Sequence, residues 1–117
     1  MMKILIIDDD VFFQKFYLEK LSEKGFQVEV ASDGDQGLAK MKLSKPDLIL
    51  LDIIMPKKDG FEFLQAMRQD PLFKQIPVIV FSTLGQPTDV DKAKSLGAVD
   101  YVNKGFFDFE NLVAKIN

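Results

Sequence analysis

Short apolar runs alternate with amphipathic stretches along this chain from one end to the other. Ile4 to Ile7, Val28 to Val30, Leu48 to Leu51, Val78 to Phe81 and Tyr101 to Val102 predict strands. Three of the five are continuously apolar, the pattern of parallel strands covered on both faces. Between them, Val11 to Lys24, Asp35 to Lys42, Phe61 to Arg68, Asp89 to Leu96 and Asp108 to Ile116 carry apolar residues three or four apart and predict helices. In the first the repeat is Phe13, Phe16 or Tyr17, and Leu21; in the last it is Phe109, Leu112, Val113 and Ile116. Phe residues at this spacing read as core.

The punctuation agrees. Gly25 and Gly97 stand where the first and fourth helices must stop, and Pro77 opens a strand at a position that needs no N–H. Asp10 is placed to cap the first helix, and Ser32 and Thr88 can cap the second and fourth. The remaining aspartates from Asp33 to Asp108, Asp52 excepted, fall in turns or helix starts and read as solvated or capping. Five right-handed βα units give a doubly wound α/β sandwich with a parallel five-stranded sheet, expected in the order 2-1-3-4-5. Ligands of such a sheet bind beyond the carboxyl ends of the strands, where the strand order reverses. No linker, repeat or low-complexity segment interrupts residues 1–117, so one domain is expected.

Composition narrows the chemistry. With no His, imidazole triads, His-ligated metals and a phosphohistidine on this chain are excluded; with no Cys as well, reactions fall to oxygens and lysines. A net charge of -3 and no Lys/Arg cluster on one predicted face leave nucleic-acid binding without its electrostatic footprint. The first apolar run is four residues long and ends in three aspartates, too short and too acidic for a signal peptide or membrane span, so a cytoplasmic protein is expected.

Polar groups follow the strands. Asp8, Asp9 and Asp10 come after the first, Asp52 after the third, Ser82 and Thr83 at the end of the fourth, and Lys104 after the fifth. In the expected order the first and third strands are neighbours, which brings Asp8, Asp9 and Asp52 together at the switch point. Carboxylates so placed repel, and either raised pKa values or a bound cation relieves them; a hard divalent ion with oxygen ligands, best Mg²⁺, suits the site and phosphate chemistry. Lys104 adds a second positive charge, and Ser82 can donate a hydrogen bond to a phosphoryl oxygen.

The same residues lie in segments that resemble the response-regulator receiver family of two-component signalling, the chemotaxis-regulator-like domains: KILIIDDD, LILLDIIMPKKDG, PVIVFST and DYVNKG. The resemblance spans essentially the whole chain and implies a flavodoxin-like fold. By it, Asp52 is the phosphoacceptor; Asp8, Asp9, Asp52 and the backbone carbonyl of Ile54 hold Mg²⁺; Ser82 and the adjoining Thr83 form the switch and phosphoryl-binding pair; Lys104 is the conserved lysine; and Tyr101 is the rotameric aromatic. It implies that Asp52 attacks a phosphohistidine on a sensor histidine kinase or a histidine phosphotransfer protein. The domain is then not an enzyme acting on a separate substrate but a phosphoacceptor that catalyses its own phosphorylation and dephosphorylation.

Output is expected through the face of helix four, strand five and helix five, where at least one of Phe106, Phe107 and Phe109 should be exposed toward a downstream protein. The chain departs from the family at Lys104-Gly105, where Lys-Pro is usual, and a trans bond is expected there. Ile54 and Leu84 are apolar where other members carry polar residues, which implies slow loss of the phosphoryl group.

Three rival readings explain less. A phosphatase of the haloacid-dehalogenase kind would use Asp8 and Asp10, but Phe12 stands where Thr or Val belongs, and no substrate-capping domain is present. A pseudo-receiver would lack an acid or the lysine, and all are here. A flavodoxin-like electron carrier needs a hydroxyl-rich phosphate loop where this chain puts three negative charges.

Overall fold

The computed structural model describes residues 2–55, 59–83, 86–104 and 109–116. In chain order the elements are β1 (Lys3–Ile7), α1 (Val11–Glu23), β2 (Gln27–Ala31), α2 (Gly34–Leu43), β3 (Leu48–Leu51), α3 (Gly60–Gln69), β4 (Val78–Ser82), α4 (Pro87–Ser95), β5 (Asp100–Asn103) and α5 (Phe109–Ile116). All strand pairings are parallel and the sheet order is β2-β1-β3-β4-β5, as the alternating pattern predicts.

The continuous apolar runs of β1, β3 and β4 have a direct cause. Successive strand side chains point to opposite faces, and both faces are covered. Leu5, Ile7, Ile49, Leu51, Val78 and Val80 pack with Met41, Phe63, Leu64 and Met67 of α2 and α3. Ile4, Ile6, Leu48, Leu50, Ile79 and Phe81 pack with Tyr17 and Leu21 of α1 and Leu112 and Ile116 of α5. Among the described residues β5 pairs only with β4, and its residues are half-buried throughout, so its apolar signal spans only two residues of a four-residue strand.

Gly25 and Gly97 follow the ends of α1 and α4 with φ of 92° and 102°, the left-handed region that glycine enters without strain. Asp10 caps α1, accepting from the Phe12 and Phe13 backbone N–H groups. The other two expected caps are corrected. α2 is capped by Asp33, one residue beyond Ser32, which accepts from Gln36 N at 2.8 Å and is buried rather than solvated. Thr88 lies inside α4, which starts at Pro87; the N-cap, Gln86, makes no side-chain capping bond, and the helix opens on a proline, which presets the helical φ and has no N–H to satisfy.

At the far end of the sheet, Arg68 on α3 donates to the carbonyls of Lys74, Ile76 and Gly97, tying the lead-in to β4 to the turn after α4. Burial pushes its guanidinium pKa down. A Cβ on Gly97 would stand 2.4 Å from Arg68 Nε and displace the guanidinium, and the φ of 102° strains any other residue there.

Candidate functional site

The register assembles the site. Ile7 pairs with Leu51, so Asp8 and Asp52, each one residue further on, leave the sheet side by side. Their N–H groups still belong to the ladder: Asp8 N donates to Ala31 O at 3.0 Å and Asp52 N to Ile7 O at 2.9 Å. Ser82 pairs with Asn103, and Lys104 N donates to Ser82 O at 2.9 Å, which fixes the start of the lysine on the same edge.

Asp8, Asp9 and Asp52 each offer a carboxylate oxygen, and these oxygens lie within 4.8 Å of one another. Asp8 and Asp52 are buried at 3% and 6% exposure, whereas Asp9 faces solvent. Lys104, with a side chain 4% exposed, reaches between the buried pair: its Nζ is 2.6 Å from Asp8 Oδ2 and 3.2 Å from Asp52 Oδ2. Burial pushes the Asp8 carboxyl up; the hydrogen bonds from Lys104 and from Asp10 N act against this, and the Asp52 charge adds to it. The other oxygen of Asp52 accepts from Ile53 N at 2.7 Å, and the longer Ile54 N approach is 3.4 Å.

Gly60 keeps this loop in place. Its N–H donates to Ile53 O at 2.9 Å, and a Cβ there would fall 2.5 Å from Asp52 O and 2.7 Å from Ile53 Cα. The glycine of the DG pair is therefore a packing requirement behind the acid, while the preceding Asp59 caps α3 by accepting from Glu62 N.

The expected site residues fall at different depths. Ser82 is fully buried beneath the acids, and Tyr101 is half-buried with its hydroxyl sharing a hydrogen bond with the Ser82 side chain. Burial pushes the Tyr101 hydroxyl up; the Ser82 bond lowers it, and the Asp89 and Asp52 charges raise it. Thr83 is exposed, and the Ile54 side chain stands 53% exposed at the mouth of the site. Leu84, the Lys104-Gly105 bond, Phe106 and Phe107 lie outside the described residues. Phe109 is half-buried and packs edge-on against Phe16, 6.0 Å between centroids.

Sequence reasoning missed the residues that line the acids from α1. Gln14 donates through Nε2 to Asp8 O and, at 3.2 Å, to Ser32 Oγ, joining α1 to the loop after β2. Tyr17 is 1% exposed and lines a small internal cavity with Asp8, Asp52 and Phe81; burial and then the Asp8 charge push its hydroxyl pKa up. Phe13 lies under the lysine, 4.4 Å from its Nζ to the ring centroid. Helical periodicity turns all three inward without saying which atoms they meet.

Comparison with known proteins agrees with this geometry. Residues 4–117 match the family described as the response regulator receiver domain. The chain is 40% identical over 116 residues to the DNA-binding dual master transcriptional regulator RpaA of Synechocystis, covering 99% of this chain and 48% of that protein. It is 45% identical over 116 residues to the transcriptional regulatory protein CpxR of Escherichia coli K12, again covering 99% and 48%. It therefore spans about half the length of these curated relatives. Among solved structures, the Vibrio cholerae chemotaxis protein CheY4 superposes with a TM-score of 0.92 at 32% identity, covering 99% of this chain and 96% of that one. No helix among the described residues is long and apolar enough to cross a membrane. With the acids, the hydroxyl and the lysine gathered at one edge of a β2-β1-β3-β4-β5 sheet, the chain belongs to the response-regulator receiver domain family.

Proposed function

We propose that Asp52 is the phosphoacceptor of this receiver domain and that residues 1–117 form the unit that carries the reaction. The observation that carries the reading is the double contact of Lys104 with Asp8 and Asp52, beside a third acid that faces solvent. A nucleophile, an anchored cation and an open set of oxygen donors then share one small space.

The donor set fits Mg²⁺. It is all oxygen and anionic, and the exposure of Asp9 leaves room for the waters that this ion keeps. Asp8, Asp9, Asp52 and the carbonyl of Ile54 would hold it, and when bound it neutralises the charge developing on the transferring phosphoryl oxygens. The rest falls to the chain. An Asp52 oxygen attacks phosphorus on a phosphohistidine of a sensor kinase or histidine phosphotransfer protein; an O–P bond forms, the N–P bond breaks, and the departing imidazole takes its proton from solvent. Lys104 and the Ser82 hydroxyl, with Thr83 at the rim, bind the phosphoryl oxygens. Hydrolysis by water reverses the modification, and both steps run on this domain's own residues.

Tyr101, bonded to Ser82 in the unmodified protein, follows any movement of that hydroxyl, so a partner reading the face of α4, β5 and α5 senses the state of Asp52. Incubation with phosphoramidate and Mg²⁺ should add one phosphoryl group, located on Asp52 by mass spectrometry. A wild-type rate of modification in Asp52→Asn would place the nucleophile elsewhere.

A further inference from the structure

The Lys104 ammonium is almost fully enclosed, with Asp8 and Asp52 as its carboxylate partners. Two aromatic rings also neighbour it. Nζ lies over the face of Phe13, 4.4 Å from the centroid, and 5.8 Å from the centroid of Phe81. A buried cation against plain hydrocarbon loses hydration without recompense, whereas the face of an aromatic ring presents negative potential to it.

The seat is also rigid. Phe13 meets Phe81 edge-on at 5.9 Å, stacks on Tyr17 at 6.1 Å and meets Phe12 edge-on at 5.4 Å, so three rings restrain its rotation. It sits in the first turn of α1, whose cap, Asp10, donates its own N–H to Asp8 Oδ1 at 2.9 Å. One helix start therefore places both the acid that binds the lysine and the ring beneath it.

We infer that Phe13 is a positioning residue for the phosphotransfer, its ring face holding the Lys104 ammonium at the acidic edge with Phe81 as the second wall. The inference rests on the role given above to Lys104. A lysine on a four-carbon stem after an edge strand has many rotamers, and the ring removes most of those that would carry Nζ away from the phosphoryl group.

A double-mutant cycle on the whole chain tests this, with the rate of phosphorylation by phosphoramidate and Mg²⁺ as one readout and the NMR shift of the Lys104 side-chain protons as the other. Phe13→Leu, which keeps apolar volume and loses the ring, should slow phosphorylation about three- to tenfold. Phe13→Tyr should stay within about twofold of wild type, since the ring face remains. In the Lys104→Ala background Phe13→Leu should have no further effect.

The Lys104 ε-protons should be shifted upfield by the ring in the wild-type protein and return toward their ordinary position in Phe13→Leu. An unshifted Lys104 signal in the wild type, which requires no variant to fold, overturns the seat. An undiminished Phe13→Leu effect in the Lys104→Ala background overturns the route through lysine, as does a wild-type rate in Phe13→Leu alone. If Lys104→Ala is phosphorylated at the wild-type rate, the role assigned to Lys104 fails and the positioning claim with it, and the ring-current shift then decides separately whether the ammonium lies on the ring.

Discussion

Lys104 stands closer to Asp8, at 2.6 Å, than to Asp52, at 3.2 Å. Its ammonium is thus the counter-ion of the whole buried pair rather than of the acceptor alone. Removing one partner of a buried ionic group costs about 3 to 5 kcal/mol when the remaining charge has no relief. Here Asp8, already pushed up by burial, can take up a proton instead, so Lys104→Met should lose less than that. Urea unfolding should show the loss in metal-free buffer and a smaller one in Mg²⁺, where a second cation can substitute. Equal losses in the two buffers would separate the lysine from the metal.

Asp9 is the exposed member of the acidic group, whereas Asp8 and Asp52 are buried on Lys104. Asp9→Ala should therefore fold with stability within about 0.5 kcal/mol of wild type, as surface changes usually do, while binding Mg²⁺ at least tenfold more weakly. Calorimetric titration of both proteins checks this, and equal affinities would remove Asp9 from the ligand set.

Gly60→Ala places a methyl group against backbone that has nowhere to move, Asp52 O and Ile53 Cα. Overpacking of this kind costs about 1 to 3 kcal/mol, and it acts on the loop that carries the acceptor. Both the denaturation midpoint and the rate of phosphorylation should fall. A stable variant that phosphorylates normally would show that the loop adjusts.

Ile54 is exposed at the mouth of the site, where an apolar side chain cannot orient an attacking water. Phosphorylated protein carrying Ile54→Asn with Leu84→Glu should lose its phosphoryl group faster than wild type, by about tenfold or more on the scale of general base catalysis. Following the decay of the phosphorylated species by mass spectrometry measures it, and an unchanged or longer lifetime would contradict the expectation.

Burial pushes the Asp100 carboxyl up, but the Lys115 ammonium at 2.7 Å and the Tyr101 N–H at 2.8 Å, with the Lys115 and Lys94 charges, outweigh it and hold the carboxyl below its usual range. A carboxyl lowered in the folded state adds stability above its ordinary pKa of 3.8, and that stability disappears as pH falls through the lower folded value. Lys115→Ala should cost less than about 1 kcal/mol at neutral pH, since both side chains are about a third exposed, and its unfolding curve should converge with that of wild type in acid.

Much of this was legible in the sequence, for identifiable reasons. Short runs such as Leu48 to Leu51, set between amphipathic stretches, fit strands buried on two faces, and once the order is right, the residue after each strand is committed to one edge. That alone brings Asp8, Asp52, Ser82 and Lys104 together. What remained hidden depends on distances shorter than a residue spacing. Whether Ser32 or Asp33 caps α2 turns on where the extended backbone ends, and whether Lys104 meets Asp8 or Asp52 more closely turns on a difference of less than one ångström. Gly60 closes the segment LILLDIIMPKKDG, but the backbone pressing on its missing Cβ belongs to residues 52 and 53, which no local pattern connects to it.

The Arg68 clamp bears on how such a chain can vary. Among the described residues its guanidinium bonds to the main-chain carbonyls of residues 74, 76 and 97, which any side chain at those positions leaves in place. Exposed loop side chains such as Lys74 and Gln75 can therefore be exchanged, as a designer grafting a recognition loop would wish, without removing the acceptors that the clamp reads.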